Sequence, residues 1–249
     1  MELPTKKSNP ESLSPNRLII YSPPKMGKTT ALSELPDNLI IDLEKGSKFV
    51  SAIKVEANNM SEIKDILKSL KEEIKENEGK IVRKYITIDT VTKLEEICLP
   101  LALDLYRDTP MGKNFGMNKK TKKLEYKNVL TLPNGGGYLY LREAFKKIID
   151  AFQNCCERLI LVGHLKDKMT SVDGKEVSTK DLDLTGKVSN ITCANADAIG
   201  YLYRDKETVK LNFQSSQDIT CGARPKHLRG KEINLFEDGE YHWDRIFID

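Results

Sequence analysis

The chain has 249 residues, 39% apolar and 31% charged, with a net charge of +3. That length suits one large α/β domain of ordinary soluble composition, and a charge so small carries no nucleic-acid argument unless the lysines are clustered. No run of eighteen apolar residues occurs, and the polar start MELPTKKSNP lacks a signal-peptide core, which argues against a membrane-spanning or secreted protein.

The five cysteines show no C-x-x-C spacing and only three histidines accompany them, so a structural zinc site is not expected. Cys98, Cys155, Cys156, Cys193 and Cys221 read as buried or incidental thiols.

In chain order, residues 1–16 carry Pro4, Pro10 and Pro15 among Ser, Asn and Lys, the composition of a flexible arm. Residues 17–249 then read as a single domain. Residues 18–21 form a short apolar strand that runs into YSPPKMGKTT (21–30), and a helix over 29–35 is stopped by Pro36. A second strand spans 39–43. Ile63, Leu67, Leu70 and Ile74 recur at helical spacing across 61–78, with Gly79 as a stop. The β-branched KYITID (84–89) is a third strand. A helix over 92–106 must kink or divide at Pro100.

Residues 107–137 lack a period and read as a long loop ending in three glycines. A helix follows over 138–152, with Leu141, Phe145, Ile148 and Phe152 on one face, and then a fourth strand, LILVGH (159–164). Residues 165–190 read as a second long polar loop. Residues 198–203 and 208–213 form a hairpin turning at Asp205-Lys206. Short apolar strands alternating with helices predict an α/β fold with a mostly parallel sheet, closed by a C-terminal β-hairpin.

Strand, then SPPKMGKT, then helix is the context of a Walker A phosphate loop. The cofactor-binding residues are thus Ser22, Pro23, Pro24, Lys25, Met26, Gly27, Lys28, Thr29 and Thr30. Amides from Met26 to Thr30 and the start of the helix favour an anion. Gly27 allows close backbone approach, Lys28 supplies charge to the β- and γ-phosphates, and Thr29 offers a hydroxyl to Mg²⁺. Ser22, where a glycine is usual, is the departure; it restricts the turn without abolishing it.

Asp89 ends a buried strand, as a Walker B aspartate does to hold the magnesium's water shell, so Thr29 and Asp89 are the expected metal residues. Glu44 ends LIIDLE and is placed to orient or deprotonate an attacking water; Asp42 shares its face but lies deeper. His164 ends the fourth strand, where a polar side chain can touch the γ-phosphate and report its loss to the following loop.

Together these strand ends resemble the RecA-like P-loop ATPase core. The likeness is greatest to the short, phage-type single-strand-annealing and recombination ATPases, a group of AAA-domain ATP-binding phage proteins. Ile41-Asp42-Leu43-Glu44 matches that family's strand ending in D-x-E, whose glutamate is the catalytic base, and Ile86 to Thr90 matches its Walker B strand. Leu161-Val162-Gly163-His164 matches the strand ending in a glutamine or histidine sensor. The family tolerates P-P-K-x-G-K-T in its loop, and GHLKDK with ADAIGYLYRD points to this group in particular. The resemblance covers about residues 17–230.

The resemblance implies Mg²⁺-dependent ATP hydrolysis, single-stranded DNA bound by the two long loops, and a cytoplasmic location in a bacterial or phage-infected cell. In the first loop Lys113, Lys119, Lys120, Lys122 and Lys123 are the expected phosphate contacts, with Phe115 and Tyr126 as stacking rings. In the second, Lys166 and Lys168 beside the sensor are the better candidates. RecA-like assemblies hold ATP between subunits, which implies a homo-oligomer, ring or filament, with Arg224 or Lys226 as the trans-acting charge. A single-strand-binding or replication protein is a further expected partner, and a membrane is not.

A second class stays open: an adaptor or loader that binds ATP to shape a protein interface and turns over slowly or not at all. A helicase ranks lower because no strand-separating domain is evident, and a small-molecule kinase lower still.

Overall fold

The computed structural model describes residues 5, 9, 10, 12–172 and 175–249, with the backbone alone at 170–172 and 175–177. The elements in order are β1 (Arg17–Ser22), α1 (Lys28–Ser33), β2 (Asn38–Asp42), β3 (Ile53–Glu56), α2 (Met60–Glu76), β4 (Arg83–Asp89), α3 (Val91–Ile97), α4 (Leu99–Arg107), α5 (Gly137–Gln153), β5 (Cys156–Val172), β6 (Lys175–Leu182), α6 (Gly186–Asn195), β7 (Ala198–Asp205), β8 (Thr208–Asn212), β9 (Gly222–Ala223), β10 (Glu232–Glu237) and β11 (Glu240–Tyr241).

Six strands run parallel in the order β3-β2-β4-β5-β1-β7, and β8, β10 and β11 extend the sheet antiparallel beyond β7. The expected α/β class and the hairpin of residues 198–203 and 208–213 are therefore observed, the latter as β7 and β8, whereas β9, β10 and β11 were not expected. β1 lies between β5 and β7, so the strand that feeds the phosphate loop is central and fully covered. Leu18, Ile19, Ile20 and Tyr21 are buried as a continuous run, as a two-sided parallel strand requires.

Each face of the sheet has its own core. On one, Ile19, Ile41, Ile86, Ile88 and Leu161 meet α2, α3, α4 and α5. On the other, Ile20, Ile40 and Val162 meet Ala31 and Leu32 of α1 and the C-terminal residues Trp243, Ile246 and Phe247. The predicted division of the 92–106 helix occurs at Cys98, which places Pro100 in the first turn of α4 where its missing N–H costs nothing.

The sequence reading differs from the structure nearer the site as well. β3 was not expected; it is a four-residue edge strand with mostly exposed side chains, so it has no apolar signature. The 165–190 loop is instead a hairpin of β5 and β6, paired from Leu165↔Leu182 to Val172↔Lys175, followed by α6. Half of the expected arm at 1–16 falls outside the described residues. Within it, Ser14 is buried and its hydroxyl accepts from the Ile248 amide at 2.8 Å, which fixes it to the chain's other end.

Candidate active site

The phosphate loop forms as its residues predict. Gly27 caps α1 with φ 88°, a left-handed conformation that favours glycine and opens the turn. Ser22, in place of the usual glycine, is fully buried and takes part in the loop: its Oγ accepts from Lys28 Nζ at 2.9 Å. Lys28 also donates to the carbonyls of Ser22 (3.3 Å) and Pro23 (3.1 Å). A buried ammonium thus rests on the loop's own oxygens, an oxygen-rich environment of the kind a phosphate supplies. Burial pushes the Lys28 ammonium's pKa down, opposed by the Asp89 and Glu44 carboxylates. Pro24, Lys25 and Thr30 are exposed, Pro23 and Thr29 partly so, and Met26 packs against the α1-side core.

Thr29 Oγ1 donates to Asp89 Oδ2 at 2.7 Å, bringing together the two residues expected to hold a metal. Asp89 is buried, and its pKa is raised first by burial and further by the Asp42 and Glu44 charges, against the pull of Thr29 and Lys28. A carboxylate desolvated among other carboxylates, next to a hydroxyl, fits a divalent cation, which would supply the missing positive charge.

Because Asp89 binds its proton more tightly folded than unfolded, its contribution to stability falls as pH rises from the ordinary carboxylate value through the raised one. Asp89→Asn is therefore expected to raise the melting temperature of the nucleotide-free protein at pH 7. It is also expected to abolish any stabilisation by Mg²⁺ with ATP. Thermal scans of both proteins with and without Mg²⁺-ATP check this.

Asp42 anchors the turn that presents Glu44. Its carboxylate accepts from the amides of Glu44 (3.0 Å), Gly46 (3.2 Å) and Ser47 (2.9 Å) and from the Ser47 hydroxyl. Burial opposes the charge, but these donors prevail and hold the carboxyl below its usual range. Glu44 Oε1 then accepts from Thr90 Oγ1 at 2.7 Å, and its two oxygens lie 3.0 and 3.1 Å from His164 Nε2. The three predicted side chains Glu44, Asp89 and His164 share one cleft of about 420 Å³ with Gly27, Lys28 and Thr29.

His164 stands at the joint where β5 leaves the central sheet and becomes the hairpin. A Cβ on Gly163 before it would lie 2.2 Å from Leu182 Cδ1, so a larger residue there would have to displace that buried side chain. Thr92 stitches the joint: its Oγ1 accepts from the His164 amide (3.2 Å) and donates to the Asp183 carbonyl (3.0 Å). On the same foot, buried Glu95 accepts from the Thr185 amide and hydroxyl, and Lys166 Nζ donates to the Leu184 carbonyl. Lys166 is thus tied down within the chain, whereas Lys168 is exposed.

Lys113, Lys119, Lys120, Lys122 and Lys123 are all exposed, and none forms an ion pair among the described residues. Their segment is folded onto the chain by Arg107, which donates to the carbonyls of Phe115 (3.0 Å) and Glu125. Phe115 is not the free ring expected: it packs edge-on to Tyr106, with centroids 5.2 Å apart, beneath Lys127 Nζ at 4.6 Å. Tyr126 remains exposed.

Arg224 and Lys226 lie at the opposite end of the sheet from the phosphate loop, near the start of β1. Arg224 pairs with Asp197 at 3.1 Å and donates to the Ala194 carbonyl at 2.7 Å; Lys226 is exposed.

A family model described as an AAA domain matches residues 14–227. The chain belongs to this AAA domain family. The match spans every strand of the parallel core, Glu44, His164 and the hairpin foot, and the expected α/β architecture with its phosphate loop between β1 and α1 stands. Among solved structures, the RadB recombinase aligns over 91% of this chain and 90% of its own at 11% identity, with a TM-score of 0.45. No match is found among curated proteins. No helix among the described residues of this AAA domain is long and apolar enough to cross a membrane.

One role and one side chain beside the site were missed in the sequence. The anchoring role of Asp42 is hidden because D-x-E gives no clue to which amides fold back onto it. Arg204, at the end of β7, reaches the flank of Gly27 although 177 positions separate them in sequence; the β7–β1 pairing that brings them together is tertiary.

Proposed function

We propose that this protein is a Mg²⁺-dependent ATPase that binds single-stranded DNA and acts in phage-type recombination, strand annealing or replication-linked repair. Lys28 clamps the phosphates, Thr29 and Asp89 hold the metal, Glu44 activates water, and His164 senses the γ-phosphate. Bound Mg²⁺ supplies Lewis-acid charge to the phosphoryl oxygens.

One observation carries the reading. The candidate base, Glu44, is held by the side chain at the very residue where the sheet strand becomes an exposed hairpin. A change at the phosphate that breaks the Glu44–His164 contact acts on a strand continuous with Lys168. The lysine-rich segment also ends near that hairpin's foot: Gly135 and Tyr138 share a cleft of about 430 Å³ with Thr185 and Lys187. Arg224 and Lys226 remain the candidates for charge supplied to a neighbour's nucleotide in a homo-oligomer.

The slow adaptor is the second reading, and the same contact favours it, since Thr90 and His164 already take up part of the acceptor capacity that Glu44 would offer a water.

The test is fluorescence anisotropy of a labelled single-stranded oligonucleotide with ATP and Mg²⁺. Reversing Lys119, Lys120, Lys122 and Lys123 to Glu is expected to weaken binding at least about tenfold. It should also flatten the dependence of log affinity on log salt by about 0.7 for each lysine that had met a phosphate. Unchanged affinity in a folded variant would remove this segment from the DNA-binding account and favour the adaptor.

A further inference from the structure

β7 runs alongside β1 in parallel, Tyr21 opposite Tyr201, but β1 stops at Ser22 whereas β7 continues to Asp205. The extra residues stand beside the phosphate loop, stiffened by β8. Alternation along β7 divides their side chains. Tyr203 and Asp205 turn to one face, where they meet Glu232 and Lys210. Arg204 turns to the other, the face on which Leu202 packs with Ala31 and Leu32 of α1.

The Arg204 side chain is exposed and makes no ion pair or hydrogen bond among the described residues. Its guanidinium is nonetheless in a defined place. A Cβ built on Gly27 would have Arg204 Nη2 at 3.8 Å and no other heavy atom within 4 Å. The open side of the loop's left-handed glycine is therefore bordered by one uncommitted guanidinium. It stands at the start of α1, where the loop amides and Lys28 already favour an anion.

We infer that Arg204 contacts the phosphates of the bound nucleotide from within the same chain, reaching across Gly27. The inference rests on the nucleotide-binding reading of the loop. A planar guanidinium offers paired donors that match phosphate oxygens, and an arginine without internal partners gives up no competing contact to make them. Arg204 on the flank then adds to the positive charge of Lys28 beneath the phosphates and Lys25 within the loop. Arg224, by contrast, lies at the far end of the sheet and is already paired with Asp197.

The experiment is equilibrium titration of the full chain with a fluorescent ATP analogue and Mg²⁺, then competition by ATP, ADP and AMP. The proteins are wild type, Arg204→Ala, Arg204→Lys and Lys28→Ala. Arg204→Ala is expected to keep the wild-type melting temperature and to lose roughly ten- to a hundredfold in ATP affinity. ADP should lose less, AMP least, and Arg204→Lys should recover part of the loss. Wild-type ATP affinity in Arg204→Ala, while Lys28→Ala loses it, overturns the inference and leaves the nucleotide reading intact. The graded loss locates the contact on the β- and γ-phosphates; an equal loss for ATP, ADP and AMP overturns that, by moving the contact to the α-phosphate, base or ribose. Failure of wild type itself to bind overturns the nucleotide reading and this inference with it.

Discussion

Glu44→Gln is expected to cut ATP hydrolysis by about 10²–10⁴-fold, the usual contribution of a general base, while ATP still binds with near wild-type affinity. Glutamine keeps the shape and one acceptor oxygen, so Thr90 Oγ1 retains its partner. What is lost is the capacity to take a proton from water. The fold should not suffer, because the Glu44 charge is one of the terms that disfavour ionised Asp89 beside it. Rapid-quench or steady-state hydrolysis, paired with equilibrium binding of ATP, separates the two effects. A variant that hydrolyses ATP at the wild-type rate would remove Glu44 from the chemistry. A variant that no longer binds ATP would make it a ligand-holding residue instead.

The second large effect lies far from any catalytic group. Trp243→Ala is expected to destabilise the protein by about 3–5 kcal/mol, the range for deleting a large buried ring. Trp243 is buried, stacks with Phe247 at 6.1 Å between centroids, and donates from Nε1 to the Ala31 carbonyl at 2.8 Å. That carbonyl belongs to α1, a helix of six residues, too short to be stable unaided. The C-terminal segment therefore braces the helix that presents Lys28 and Thr29. Urea unfolding measures the loss, and nucleotide affinity should weaken in step with it. A cost below about 1 kcal/mol would mean that the ring is not packed as described.

The phosphate loop, Asp89, Glu44 and His164 were legible because each lies at or just beyond the end of an apolar, β-branched strand segment, Glu44 in the turn two residues past β2. Such ends on one edge of a parallel sheet converge in space. The division of the 92–106 helix was legible for an equally local reason, the missing N–H of Pro100. The hairpin of β5 and β6 was not read, although Asp173-Gly174 is a strong two-residue turn signal. Its strands are polar, and among the described side chains Asp167, Lys168, Met169 and Ser178 are exposed while only Asp181 and Leu182 at its foot are buried. Without an apolar alternation it resembles a loop. Phe115 failed for the reverse reason: nothing local announces that Tyr106 and Lys127 will close on it. Arg204 depends on a strand pairing between distant segments, which no local pattern encodes.

The most direct test of the account is ATP hydrolysis by the purified chain in Mg²⁺, with and without a single-stranded oligonucleotide, at low and moderate salt. Lys28→Ala and Glu44→Gln run beside it. The account predicts hydrolysis that the oligonucleotide stimulates, that declines as salt rises, and that both substitutions abolish. Hydrolysis indifferent to the oligonucleotide, or none despite tight ATP binding, would contradict it and leave the nucleotide-switched adaptor.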